Sequence, residues 1–591
     1  MKYSFKNIVV LAIKVEIMRK FLLILVLCFA CKNSPNYDFS TRFETSNGLE
    51  TVTYEEIITF YSQLAEVYNE ISLEAIGETD AGKPLHLVTF NPDAEFNYET
   101  IREDKRILLI NNGIHPGEPD GIDATMLLFR DLAQGNIKIP ENVVIASIPI
   151  YNIGGSLNRN SNTRTNQNGP KAYGFRGNAR NYDLNRDFIK CDTKNAKTFA
   201  EIFHLLKPDV FIDTHVSNGA DYQYTLTHLF TQHNKLGDKL GIYLHTEMMP
   251  KLEKKLNEKD LDITPYVNVF NRTPEQGFSQ FMDYPRYSTG YTTLFNTLGM
   301  MIETHMLKPY KQRVEGTYEI LKSMIKITDS DSDKIKSIRE EMPLLMHKNK
   351  YYTLDWAVDT TKASILNFKG YEADVITSEV TGFKRLKYNR TKPFVKEVNY
   401  QNYYEPKLKV EIPSAYIIPQ GWHNVIALLK LNEVEMIPLK NDSIITVESY
   451  RIKGYKTRKS PYEGHYPHYD VKISISEEDR QFSKGDYFIN TNQNTFRYLM
   501  ATLEPQAPDS FFNWNFFDTI LQQKEGFSPY VWEDKALELL QNNPQLKQEF
   551  EHRKQDISEF KDNWYAQLDW LHKQSKHYEE AHLLYPVFRI K

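Results

Sequence analysis

The chain has 591 residues, 41% hydrophobic and 25% charged, which exceeds one typical domain and excludes bulk disorder, collagen-like repetition and coiled coil. Lys plus Arg total 72 against 77 Asp plus Glu, a formal net charge of −5, so the composition carries no electrostatic footprint for nucleic acid. The 37 Tyr and 33 Phe read as core and sheet material and point to no function by themselves.

At the amino terminus Met18-Arg19-Lys20 is basic, residues 21–30 are apolar, and small Ala30 precedes Cys31. That order is the order of an export signal, and the run is too short to span a bilayer. It resembles a bacterial lipoprotein signal over residues 1–31, although Cys28 stands where an aliphatic residue is usual. The resemblance implies a lipidated Cys31 as mature terminus, in the periplasm or at the cell surface, with the lipid as the sole membrane contact. The alternative is plain secretion. Cys191 is the one cysteine beyond this region, so no intramolecular disulfide framework is expected. Residues 32–48, rich in Asn, Ser and Thr, are expected to be a linker.

From Leu49 the pattern changes. Tyr54, Ile57, Ile58, Tyr61, Leu64 and Ala65 recur at helical spacing and predict an amphipathic helix. Residues 106–112 read as a strand, 121–132 as a helix, 143–150 as a strand, 196–206 as a helix and 210–213 as a buried strand. This alternation predicts an α/β sheet with helices on its faces. The charged stretch 329–334, Asp-Ser-Asp-Ser-Asp-Lys, is expected to mark a domain boundary. Short β-prone runs at 408–412, 444–447 and 471–475 predict a mostly β accessory domain over 346–500. Helix-compatible spacing at 532–540 and 546–570 predicts a partly helical C-terminal region, 501–591.

The chemistry begins at His115-Pro116-Gly117-Glu118, directly after the strand 106–112. An imidazole and a carboxylate three positions apart at the carboxyl end of a sheet can share one zinc ion, although an ordinary exposed loop also accounts for the pair. His215 ends Val210-Phe211-Ile212-Asp213-Thr214-His215, a strand running into a loop at the same edge. Two nitrogens and one carboxylate leave a position open for water, as in a catalytic site. Glu303 follows the apolar run Leu298-Gly299-Met300-Met301-Ile302, where a carboxylate is costly unless the site uses it.

Between the two histidines lies Asp183-Leu184-Asn185-Arg186-Asp187-Phe188. With His-x-x-Glu upstream and His215 downstream, this motif resembles the M14 zinc carboxypeptidases over residues 49–330. The resemblance implies a mixed sheet with helices on both faces and one zinc per chain, held by His115, Glu118 and His215. It implies that Glu303 is the general base toward a zinc-activated water and that Asp183 orients a histidine ligand. Asn185 and Arg186 would grip the substrate's terminal carboxylate, a task that suits the planar guanidinium fork. Arg159, Arg164, Arg176 and Arg180 are candidates to polarise the scissile carbonyl, with Arg164 preferred and Arg176 second. Tyr284, Tyr287 and Tyr291 are candidates for a substrate-binding tyrosine, with Tyr287 preferred, and His305 is read as structural. Asn152-Ile153-Gly154-Gly155 stands where relatives often have Asn-Pro-Asp-Gly. The expected function is hydrolysis of peptides at free C-termini. The alternatives are a deacylase resembling the succinylglutamate desuccinylase and aspartoacylase group, and a non-catalytic surface lipoprotein that binds peptide or glycan.

Overall fold

Arg-Ile-Leu-Leu-Ile-Asn at 106–111 and Val-Val-Ile-Ala-Ser-Ile at 143–148 are apolar almost throughout and buried at every position, the pattern of strands covered on both faces. They lie inside a mixed eight-stranded sheet in a computed structural model that describes residues 37–346 and 348–591. The signal expected over 1–31, with Cys31, lies outside the described residues. The strands up to residue 305 are β1 (Ile71–Glu78), β2 (Pro84–Phe90), β3 (Arg106–Asn111), β4 (Val143–Ile148), β5 (Val210–Ser217), β6 (Leu226–Phe230), β7 (Ile263–Pro265), β8 (Phe278–Ser279) and β9 (Leu298–His305). The sheet order is β1-β2-β4-β3-β5-β9-β6-β7. β4, β3, β5 and β9 run parallel, and β1, β2 and β6 join antiparallel.

Side chains alternate across a strand, so β5 reports where the helices lie. Phe211 meets Phe199 of helix Lys194–Leu206 edge-on at 5.9 Å, while a Cβ on Gly121 of helix Asp120–Ala133 would strike Thr214. Odd and even positions thus face different helices, and both faces of the sheet are covered.

Several expectations change in the structure. The 32–48 segment is no simple tether from residue 37 on. Thr41 and Glu44 form a capping box on helix Arg42–Thr45, and Phe39 and Phe43 are buried against Phe60 and Tyr310. The charged stretch 329–334 is a junction between helices Tyr310–Ser330 and Ser332–Met346. Two of its carboxylates tie it to distant segments, Asp329 accepting from Glu141 and Asn142 backbone N–H and Asp331 from Tyr243 and Lys251. Ile335, Ile338 and Met342 beyond it are buried in the same core as the sheet.

The following region is β-rich but built from long ribbons. β10 (Tyr351–Val358) pairs with β13 (Tyr404–Glu411), and β11 (Ser364–Thr377) with β12 (Lys384–Gln401), which also pairs with β8 of the first unit. A six-stranded sheet contains β14 (Ala415–Ile418), β15 (Ile437–Pro438), β16 (Ser443–Thr457), β17 (His468–Phe482), β18 (Tyr487–Asn490) and β19 (Phe588–Ile590). The expected division at 500–501 falls inside the buried helix Phe496–Leu503, and the chain's last strand returns to this sheet. The helix expected over 546–570 is broken into Pro544–Asp556, Ser558–Lys561 and Trp564–Lys573, the last capped by Asn563. No helix among the described residues is long and apolar enough to cross a membrane.

The return of β19 places Arg589 in a buried polar knot with Glu448 and Glu504, while Tyr416 donates to Glu504 at 2.6 Å. Arg589→Ala leaves buried Glu504 without its cation and beside Glu448, and is expected to destabilise the fold by about 3–5 kcal/mol. Calorimetric unfolding of the variant against the parent checks this, and an unchanged transition would refute it.

Candidate metal centre and catalytic cleft

Gly113, two residues past the end of β3, has φ +64°, and a Cβ there would lie 2.3 Å from Ile150. Glycine lets the chain turn sharply out of the sheet, and a turn closed by Glu118 N–H donating to His115 O at 2.8 Å follows. His115 and Glu118 are both buried at the carboxyl end of β3. His215, expected to end its strand, lies within β5, which continues to Ser217. Glu303 is likewise within β9 and is the in-register neighbour of His215 across the parallel pair, so the two side chains leave the same face.

One ligand atom from each of His115, Glu118 and His215 lies within 4.8 Å of the others. His115 Nε2 is 2.9 Å from Asp183 Oδ1, while its buried Nδ1 has no hydrogen-bond partner among the described residues. A carboxylate on one ring nitrogen leaves the other nitrogen's lone pair to a metal. His215 has a similar supporter, its Nε2 lying 3.1 Å from Asp213 Oδ2, which also accepts from Ser288 Oγ at 2.5 Å. Glu118 Oε2 accepts from Val216 N–H at 2.9 Å and lies 3.2 Å from His215 Nδ1. Burial opposes a charge on His215, yet Asp213, Glu118 and Glu303 pull its pKa well above the usual imidazole range. The donor set is rich in negative charge, with an orphaned imidazole nitrogen. It fits a divalent zinc ion.

These residues line one cavity of about 880 Å³ together with Asn185, Arg186, Tyr287, Arg176 and Glu303. Asn185 Nδ2 is 3.4 Å from His215 Nε2, and its Oδ1 accepts from Ser288 N–H at 3.2 Å. The Arg186 guanidinium stacks 4.6 Å above the Tyr287 ring. Tyr284 and Tyr291 are engaged elsewhere, with Asp355 and Asn432. Burial alone would raise the Asp183 carboxyl, but His115, Arg176 and Arg186 hold it well below the usual carboxylate range. Burial pushes Glu303 up to about 7, with His215 and Arg176 opposing the shift and Glu118 and Asp213 adding to it.

The two candidate arginines are placed differently. Arg164 is not among the residues lining this cavity. Its Nη1 is held 2.8 Å from Glu118 Oε1, and its Nε donates to Gln167. Arg176 does line the cavity, with Nε donating to Asp183 at 2.9 Å and Nη1 3.4 Å from Glu118. Arg159 and Arg180 point to backbone carbonyls elsewhere. His305 is buried, 3.1 Å from Asp221 and stacked on Tyr222.

Sequence reasoning passed over Asp213 and Ser288. A charged residue within the apolar run 210–215 was the available signal, since buried carboxylates need partners. It also passed over Glu463, whose Oε2 accepts from Asp183 N–H at 2.8 Å, and over Lys384, Arg385 and Tyr388 in the cavity wall. No local pattern marks contacts across such sequence distances.

Residues 57–208 match the family model for zinc carboxypeptidases, Peptidase_M14. This segment is similar to the zinc carboxypeptidase domain of that family. His115, Glu118, Asn185 and Arg186 fall inside the matched segment, and His215 and Glu303 beyond it. A carboxypeptidase 2 of Trichophyton rubrum is 21% identical over 441 residues, covering 68% of this chain and 72% of its own. A carboxypeptidase 2 of Trichophyton tonsurans is 22% identical over 428 residues, with coverages of 68% and 72%. Among solved structures, carboxypeptidase A of Helicoverpa armigera aligns with TM-score 0.37 at 12% identity over 54% of this chain and 82% of that one. A metallo-carboxypeptidase of Burkholderia cenocepacia aligns with TM-score 0.35 at 16% identity, with coverages of 48% and 70%. The match and the donor triad together support a zinc-dependent peptide hydrolase.

The purified protein is expected to hold about one zinc per chain, and His115→Ala or His215→Ala to lose it, because each removes one of three protein donors. Elemental analysis decides this, and full occupancy in both variants would exclude the triad.

Proposed function

We propose that the protein removes residues from the free C-terminal end of peptides. The observation that carries this reading is the presence of Arg186, with Asn185 beside it, in the same cavity as the donor triad and Glu303. A planar cation there supplies bidentate recognition of a terminal carboxylate next to the reacting centre. When bound, zinc supplies Lewis acidity toward an attacking water and the scissile carbonyl. Glu303 takes the proton of that water and returns it to the departing amine, a role that suits a carboxyl whose pKa burial has raised toward neutrality. Arg176, rather than Arg164, donates to the oxygen on which negative charge develops. Tyr287, stacked under Arg186, closes over the terminal residue. The cavity volume of about 880 Å³ favours peptides over the small acylated amino acids of the deacylase reading. The order of residues 18–31 supports export and a lipid anchor on Cys31, and mass spectrometry of detergent-extracted protein that finds an unmodified terminus elsewhere would remove the anchor.

Glu303→Gln is expected to retain zinc and lose activity by about 10² to 10⁴, the usual range for a proton-transfer role. Arg186→Ala is expected to impair free-ended peptides far more than C-terminally blocked ones, whereas Arg176→Ala lowers turnover of both alike. Normal turnover by Glu303→Gln removes it as the base, and equal impairment of both substrate types by Arg186→Ala removes the exopeptidase reading.

A further inference from the structure

One wall of the cleft comes from outside the zinc peptidase unit. Lys384, Arg385, Leu386 and Tyr388, at the start of β12, line the same cavity as His115, His215 and Arg186. The β11–β12 ribbon that bears them is fastened to the first unit along its length. Tyr388 donates to Arg272 O at 3.1 Å, Gln223 donates to Gly370 O and Phe394 O at 2.9 Å, and Arg390 pairs with Asp221 at 2.7 Å. Lys369 and Lys396 pair with Asp262 and Glu275, and at the far end Tyr400 pairs in parallel with Phe278. The wall is therefore held over the cleft by many separate contacts.

The cations of this ribbon differ in their partners, and Lys387, which does not line the cavity, also has no ion pair among the described residues. Lys369, Arg390 and Lys396 are neutralised by carboxylates of the first unit, and Lys392 by Glu372. The two that face the cavity are not. Lys384 Nζ has only the Thr377 hydroxyl, at 3.1 Å, and the Arg385 side chain has no hydrogen bond or ion pair among the described residues. Among the described lining residues, Arg176, Arg186, Lys384 and Arg385 stand against Glu118 and Glu303 as the only carboxylates. Glu118 is committed to the metal and Glu303 to proton transfer. Arg176 already pairs with Asp183 and Arg186 is assigned to the terminal carboxylate. Lys384 and Arg385 remain as cations with no carboxylate partner among the described residues, and no described lining carboxylate is free to receive a basic substrate side chain.

We infer that Lys384 and Arg385 make the enzyme selective for peptides bearing an acidic side chain close to their free C-terminus. This deepens the carboxypeptidase reading and rests on it. Side chains alternate along a strand, so either cation acting from this wall gives a substrate carboxylate a charge-assisted hydrogen bond, stronger than a neutral one, and repels a substrate lysine in the same place.

The test uses the zinc-loaded full-length protein and free-ended peptides carrying a single Glu, Gln or Lys at each of the last four positions. At one or more positions kcat/KM for the Glu peptide is expected to exceed that for its Gln counterpart by about ten-fold or more, the value of one charge-assisted bond. That ratio is expected to fall to about one in the double variant Lys384→Ala/Arg385→Ala, and Arg385→Glu to shift preference toward the Lys peptide. Zinc content and thermal midpoint of each variant report that the fold is retained. Equal cleavage of Glu and Gln peptides by the parent, or survival of the preference in a folded double variant, would overturn this inference alone. Failure to cleave any free-ended peptide would overturn the carboxypeptidase reading beneath it.

Discussion

The in-register parallel pairing of β5 with β9 is the constraint on which the catalytic centre depends. It sets His215 beside Glu303, so a metal-donor position and the proposed base are neighbours by virtue of backbone hydrogen bonds alone. Glu118 is tied to the same edge because its carboxylate accepts from Val216 N–H. A slip of one residue would turn either side chain to the opposite face, and the register is held by strands buried on both sides. Parallel strands of this kind exist only where helices cover them. Packing of helices Asp120–Ala133 and Tyr310–Ser330 is thus a condition for the chemistry and not merely for stability.

The electrostatics of the centre follow from this crowding. Glu118, Asp183, Asp213 and Glu303 converge on two imidazoles. Buried carboxylates need compensation. Arg164 and Arg176 on Glu118, and His115 and Arg176 on Asp183, supply part of it. Glu303 has no such hydrogen-bonded cation, and its carboxyl consequently rises toward neutrality while Asp183 falls. Two acids in one cleft are pushed in opposite directions by their partners, one toward proton transfer and the other toward holding a ring in place.

The region after residue 346 is joined to this centre at three places. Glu463, itself at φ +49°, accepts from the backbone of Asp183. Asp509 receives both the backbone and the guanidinium of Arg286, next to Tyr287. The β11–β12 ribbon supplies a cavity wall. Accessory strands and catalytic motif are therefore one mechanical unit, with the return of β19 through Arg589 closing the accessory sheet.

Much of the first unit was readable from local pattern. The strands at 106–111 and 143–148, the helix at 194–206, and the residues His115, Glu118, Asn185, Arg186, His215 and Glu303 all carry signals within a few neighbours, because period, strand-end position and motif spacing are properties of adjacent residues. The identity of the donor types and their order along the chain were determined by sequence alone. Tertiary structure decided which arginine faces the cleft, since Arg164 and Arg176 differ only in where the folded chain aims them. It decided that Phe39 and Phe43 dock instead of trailing in a linker, and that two carboxylates of 329–334 tie a helix junction to distant segments. It also decided that Lys384, Arg385 and Glu463 belong to the site, because contacts between residues hundreds of positions apart depend on how sheets and ribbons pack, which no local period records.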